Sequence, residues 1–197
     1  MTRPGFRRSG KGGSRPGERS REMPISRAPF SQAQILHLMK TEFSRARRYG
    51  YPLACLLMKP DRVQLGYLGV SPSQFRESIH RELARLVAEK TRDHDHLGMV
   101  EDDGFLAVLP HTDAESAFIV ADRIRQAFTG LELEGTDVEL TLSLGIAACE
   151  DRDTLFFDTL LSQAEMALEW AMEAGGNRVE TFRRERYTGG ESGPIPE

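Results

Sequence analysis

Cysteine and tryptophan are scarce in this 197-residue chain, with two and one copies respectively, and long apolar runs are missing altogether. Two cysteines cannot build a disulfide framework. Cys55 and Cys149 both sit in apolar, strand-like runs, which reads as two buried thiols in a reducing cytoplasm. No apolar run nears the roughly 20 residues a membrane span requires. The first residues carry Arg and Gly without the apolar core of a secretory signal, so the expected location is cytoplasmic. The five histidines include no His-x-x-x-His spacing, and neither His94 nor His96 has a cysteine nearby to form a metal set.

Net positive charge is also lacking over most of the chain. Residues 1–28 hold eight Arg and Lys against Glu18 and Glu22, a balance of +6, so the overall charge of -4 leaves -10 for the rest. An acidic body argues against a general nucleic-acid surface. The Gly-, Arg-, Ser- and Pro-rich residues 1–28 cannot bury enough apolar surface to offset their ordering entropy. They read as a basic, disordered tail, and residues 184–197 read as a flexible C-terminal one. One domain is expected between them, over residues 29–183.

What is present is a regular alternation of periods. Ser31 is placed to cap a helix with Ile35, Leu38, Phe43 and Ala46 on one face, ending near Gly50. Leu53–Met58 is a continuous apolar run of strand length. A helix is predicted over 73–90, then two strands, His96–Val100 and Phe105–Leu109, joined by an Asp-Gly hairpin signal. A helix over 113–128, a strand over 138–148, a helix over 155–174 stopped by Gly175-Gly176 and a strand over 177–182 complete the order. The fold class expected is α/β (α+β): a mostly antiparallel five-stranded sheet of βαββαβ type with packed helices. Trp170 is read as a core or interface anchor.

Several strings narrow that order. Arg45-Ala-Arg-Arg-Tyr-Gly-Tyr-Pro-Leu-Ala, the stretch from His94 to Pro110, Ala117 to Arg125, Thr141-Leu-Ser-Leu-Gly-Ile-Ala, and Ala164 to Val179 follow one another at fixed spacings. Together they resemble the GGDEF diguanylate cyclase family over residues 30–182, and the resemblance implies its nucleotide-cyclase-like palm. In that family two GTP molecules condense to cyclic di-GMP, and carboxylates from neighbouring strands hold divalent metal ions that neutralise the reacting phosphates.

Against that pattern the chain departs at most positions the resemblance implies for catalysis. The first metal-ligand position is Lys59, followed by Asp61. Unit charges of like sign about 4 Å apart repel by roughly 4 kcal/mol at an intermediate dielectric, and a dication doubles this. Lys59 is therefore expected to replace the metal and pair with Asp103. The signature reads Glu101-Asp102-Asp103-Gly104-Phe105, with acids at the two phosphate-cradling glycines and Gly104 at the catalytic Glu. Tyr67 and Arg76 stand near the guanine-reading positions, and Met172 and Gly176 stand where Lys and Arg would hold the triphosphate. From the residues alone, Asp102-Asp103-Gly104 reads as a solvated hairpin turn. These departures lead to the expectation that the chain is not an enzyme and needs no cofactor or Mg²⁺.

A second site of the family is matched. Arg92-Asp-His-Asp95 ends six positions before Glu101 and resembles the family's Arg-x-x-Asp inhibitory motif for cyclic di-GMP. By the same resemblance Arg123 completes the site, and Arg45 reaches it from a neighbouring subunit. A guanidinium fork suits guanine O6 and N7, a carboxylate accepts from guanine N–H groups, and further arginines neutralise phosphates. Arg92 and Asp95 also suit a plain surface ion pair. The leading expectation is a cyclic di-GMP receptor, with a homodimer and a protein partner reached through the basic tail. A ligand-independent protein-interaction module on the same fold is the alternative.

Overall fold

The computed structural model describes residues 28–61, 71–101, 103–131, 139–150 and 156–188. Residues 1–27, Tyr67, Asp102 and residues 189–197, on which several of the expectations fall, lie outside the described residues.

Helix α1 (Gln32–Tyr49) leads into β1 (Leu53–Pro60), followed by α2 (Pro72–Lys90), β2 (His96–Met99), β3 (Phe105–Pro110), α3 (Ala114–Thr129), β4 (Leu142–Cys149), α4 (Phe157–Glu173), β5 (Val179–Thr181) and a short α5 (Arg184–Thr188). The five strands form one sheet in the order β2-β3-β1-β4-β5. All neighbours are antiparallel except β4 and β5. The expected α+β architecture holds.

Local chemistry explains the ends of these helices. Gln34 returns its side-chain oxygen to the Ser31 N–H at 3.0 Å, and Gly50 closes α1 at φ 73°. Ser71 and Asp113 each accept a backbone N–H at the start of α2 and α3.

Period-two alternation along β1 sends its apolar side chains to two separate cores. Ala54, Leu56 and Met58 pack with α2 and α3. Leu53, Cys55 and Leu57 pack with α1 and α4. The sheet is thus a middle layer with a helix pair on each face. Full burial of each Leu, Ile or Phe in these cores contributes roughly 1.5–3 kcal/mol. On β4 the glycine of the Thr-x-Ser-x-Gly-x-Ala string has a packing cause: a Cβ on Gly145 would stand 2.2 Å from Ala164 O and Leu168 N. Helix α4 lies directly on the strand's backbone there.

Two details differ from the sequence reading. In α1 the inward residue is Met39, with Leu38 only half-buried, because the buried face runs through Ile35, Met39, Glu42, Phe43 and Ala46 at helical spacing. Residues 184–188, expected to begin a loose tail, form α5. The Arg186 guanidinium lies 4.5 Å over the Trp170 ring, which itself stacks on Phe182 at 5.7 Å. Long-range contacts invisible to local composition hold the turn in place. Among the described residues no helix is long and apolar enough to cross a membrane.

Candidate functional site

Lys59 leaves the end of β1 opposite Ser143, and the hairpin after β2 brings Glu101 and Gly104 alongside. With Glu165, Glu169 and Met172 of α4 they line a cleft of about 440 Å³. Four of the substituted positions, Lys59, Glu101, Gly104 and Met172, therefore do meet in space.

The other positions of the family's active site turn elsewhere. Asp103 adopts φ 63°, and its carboxylate meets Arg76 Nε at 3.3 Å and His80 Nε2 at 3.7 Å. These partners come from α2, on the opposite face from α4, and were not foreseen for Asp103; Lys59 was. The signal available was the i,i+4 spacing of Arg76 and His80, which puts both on one side of a helix. Burial lowers the His80 pKa below its ordinary value, against the opposing pull of Asp103.

Asp61 proves to be a structural tie. One carboxylate oxygen accepts from Ser143 Oγ at 2.6 Å and the other from the Asn177 N–H at 2.9 Å. Asn177 in turn accepts from Arg125 Nη1 at 3.0 Å. Gly176, at φ 74°, presses against this carboxylate.

The carboxylates of Asp61 and Asp103 are engaged by protein groups, and the lysine lines the cleft. Among the described residues no three His, Cys, Asp or Glu side chains gather to hold a metal.

The second place is the turn between α2 and β2. Thr91 ends the helix by donating from both N–H and Oγ1 to Val87 O. Arg92 and Asp95 then close on each other: Asp95 N–H donates to Arg92 O at 3.0 Å, and Arg92 N–H donates to Asp95 Oδ2 at 2.7 Å. Asp95 is only 9% exposed. Its Oδ1 is buried and has no hydrogen-bond partner among the described residues, an arrangement that costs stability in the isolated protein.

Arg92 and Arg123 are exposed. Arg123 comes from α3, and its Nη2 donates to the carbonyl of Lys90, two positions before Arg92. Arg45 is not gathered with them. It lies on α1, across the sheet, and donates to the buried Glu42 at 2.6 Å. Glu42 also accepts from the Tyr51 hydroxyl at 3.2 Å; burial, reinforced by that carboxylate, pushes the Tyr51 pKa up to about 12.

The family model for the GGDEF domain of diguanylate cyclases matches residues 73–178. The chain belongs to the GGDEF family. A diguanylate cyclase of Vibrio cholerae is 28% identical to it over 149 residues, which is 74% of this chain and 44% of that protein. The chain thus spans less than half the length of that curated relative. The solved active GGEEF domain of a Vibrio cholerae diguanylate cyclase is 25% identical, covering 80% of this chain and 99% of that one, with a TM-score of 0.69. The GGDEF domain of DgcB from Caulobacter crescentus, solved in complex with cyclic di-GMP, shares the fold at 15% identity, with 77% of this chain and 90% of that one covered and a TM-score of 0.66.

These relatives correct one expectation. The chain was read as no enzyme because of its substitutions, yet the relatives this GGDEF domain matches are named diguanylate cyclases. The departures at Lys59, Glu101, Gly104 and Met172 are differences within a family of enzymes.

Proposed function

We propose that this GGDEF domain is a cyclic di-GMP receptor, with the ligand held by Arg92, Asp95 and Arg123. The observation that carries this reading is the Asp95 carboxylate. One oxygen is fixed by the Arg92 N–H, the other is buried without a partner, and two exposed guanidiniums stand at the same helix end. A guanine base supplies what this arrangement lacks: N–H donors for the carboxylate, and O6 and N7 acceptors for a guanidinium fork. The second arginine neutralises phosphate.

Support also comes from the DgcB domain, which shares this fold and was solved with cyclic di-GMP. The binding needs no metal or cofactor and is independent of GTP turnover. Arg45 pairs with Glu42 on the far side of the sheet, so it would join this site only from a neighbouring subunit.

Isothermal titration calorimetry of the full chain tests the reading. Cyclic di-GMP at tens of micromolar should release heat, and Arg92→Ala should weaken binding by roughly 5- to 100-fold, the value of one good bidentate contact. No heat from the parent protein sinks the proposal. Unchanged binding by both Arg92→Ala and Asp95→Ala sinks the site.

A further inference from the structure

Asp95 shares a small pocket with a piece of chain that belongs to no regular element. Phe30 forms an isolated parallel bridge with Gly98 of β2: its N–H donates to Leu97 O at 2.8 Å, and its carbonyl accepts from Met99 N–H at 2.9 Å. Ala28 and Phe30 thereby become one wall of a pocket of about 170 Å³, whose other walls are Ala88, Thr91, Leu97 and Asp95.

We infer that residues 28–30 form a strap that closes over Asp95 in the unliganded domain and is displaced when a ligand engages that carboxylate. This rests on the binding reading above and adds to it a route by which occupancy reaches the segment entering the domain.

The argument turns on which wall yields. Oδ1 is out of solvent, so a donor reaches it only when something moves. The carboxylate cannot swing out freely, because Oδ2 holds the Arg92 N–H. Helix α2 is fixed by a face of six buried residues, and β2 is paired with β3 from His96 to Met99. The strap is held to the sheet by two backbone hydrogen bonds, and Phe30 is 38% exposed. Each such bond is worth only about 1 kcal/mol net. The strap is the wall that costs least to move.

Its motion has a mechanical outlet. Ser31 follows directly and caps α1, and α1 lies so close to β2 that a Cβ on Gly98 would stand 2.3 Å from Ile35 Cβ. Displacing Phe30 therefore acts on the first turn of α1 and on whatever chain precedes residue 28.

Hydrogen–deuterium exchange on the full chain, with and without saturating cyclic di-GMP, reads the strap directly. The amides of Phe30 and Met99 should exchange at least about fivefold faster with ligand bound, the loss expected from one broken hydrogen bond. Phe30→Gly, with thermal unfolding as the folding control, should bind about three- to tenfold tighter, because it removes the side-chain wall of the pocket and raises the entropy cost of the closed strap. Binding that is abolished by Asp95→Ala, yet leaves both amides and the Phe30→Gly affinity unchanged, overturns the strap and keeps the receptor. Absence of any binding overturns both. Slower exchange at Phe30 and Met99 on binding also overturns the inference, since the strap would then close on ligand.

Discussion

A Cβ placed on Gly176 would stand 3.0 Å from the Asp61 carboxyl carbon. The position that by family resemblance should carry a phosphate-binding arginine is packed instead against a carboxylate that ties the end of β1 to β4 and to the turn before β5. Gly176 is in the left-handed region at φ 74°, where a side chain costs about 1–2 kcal/mol. Gly176→Arg should therefore destabilise the domain by roughly 1–3 kcal/mol in urea unfolding. A variant as stable as the parent would show that the turn tolerates the side chain.

Removing the tie itself should cost more. Ser143 is fully buried, and its hydroxyl and the Asn177 N–H both spend their donors on Asp61. Asp61→Ala leaves two donors without an acceptor, a loss of roughly 2–4 kcal/mol. The urea midpoint should fall while the slope stays constant. A loss under about 0.5 kcal/mol, the range of ordinary surface substitutions, would contradict this role.

The tight seating of α4 on β4 makes Gly145 the most sensitive glycine among the described residues. The atoms a methyl group would meet are backbone atoms of Ala164 and Leu168, which cannot rotate away. Gly145→Ala should cost about 3 kcal/mol or more, measured by thermal unfolding. An unchanged midpoint would mean that α4 shifts freely.

Acid stability should report His80. Its pKa is lowered by burial from 6.5, so the unfolded chain takes up a proton at a higher pH than the folded one. The folded state therefore keeps its full stability above about pH 6.5 and loses it as the pH falls from there toward the folded value. His80→Gln should flatten the stability profile between pH 7 and 5. An unaltered slope would assign the acid sensitivity to other groups.

The thiols give a fifth test. Cys55 is fully buried, with burial pushing its pKa up to about 12, and Cys149 is 4% exposed. Thiolate formation and access are both suppressed in the native state. Labelling by a disulfide reagent at pH 8 should follow the unfolding transition in urea. Rapid labelling of the native protein would contradict the burial of β1 and β4.

Apolar spacing along the chain was enough to place nine of the elements, from the period-two run of Leu140, Leu142, Leu144 and Ile146 to the helical face of Ala117, Ala121, Ile124 and Phe128. Five ordered strings were enough for the family. Such patterns are local, because a helix or strand must show one face to a core whatever lies beyond it. The fates of the charged side chains were decided in three dimensions. Asp61 finds Asn177 across 116 positions, Asp103 finds Arg76 and His80 on a helix earlier in the chain, and the Asp95 oxygen left without a partner lies near a strap that begins more than sixty residues upstream. Nothing in the spacing of these residues sets which donor a carboxylate meets; the stacking of helices on a sheet does.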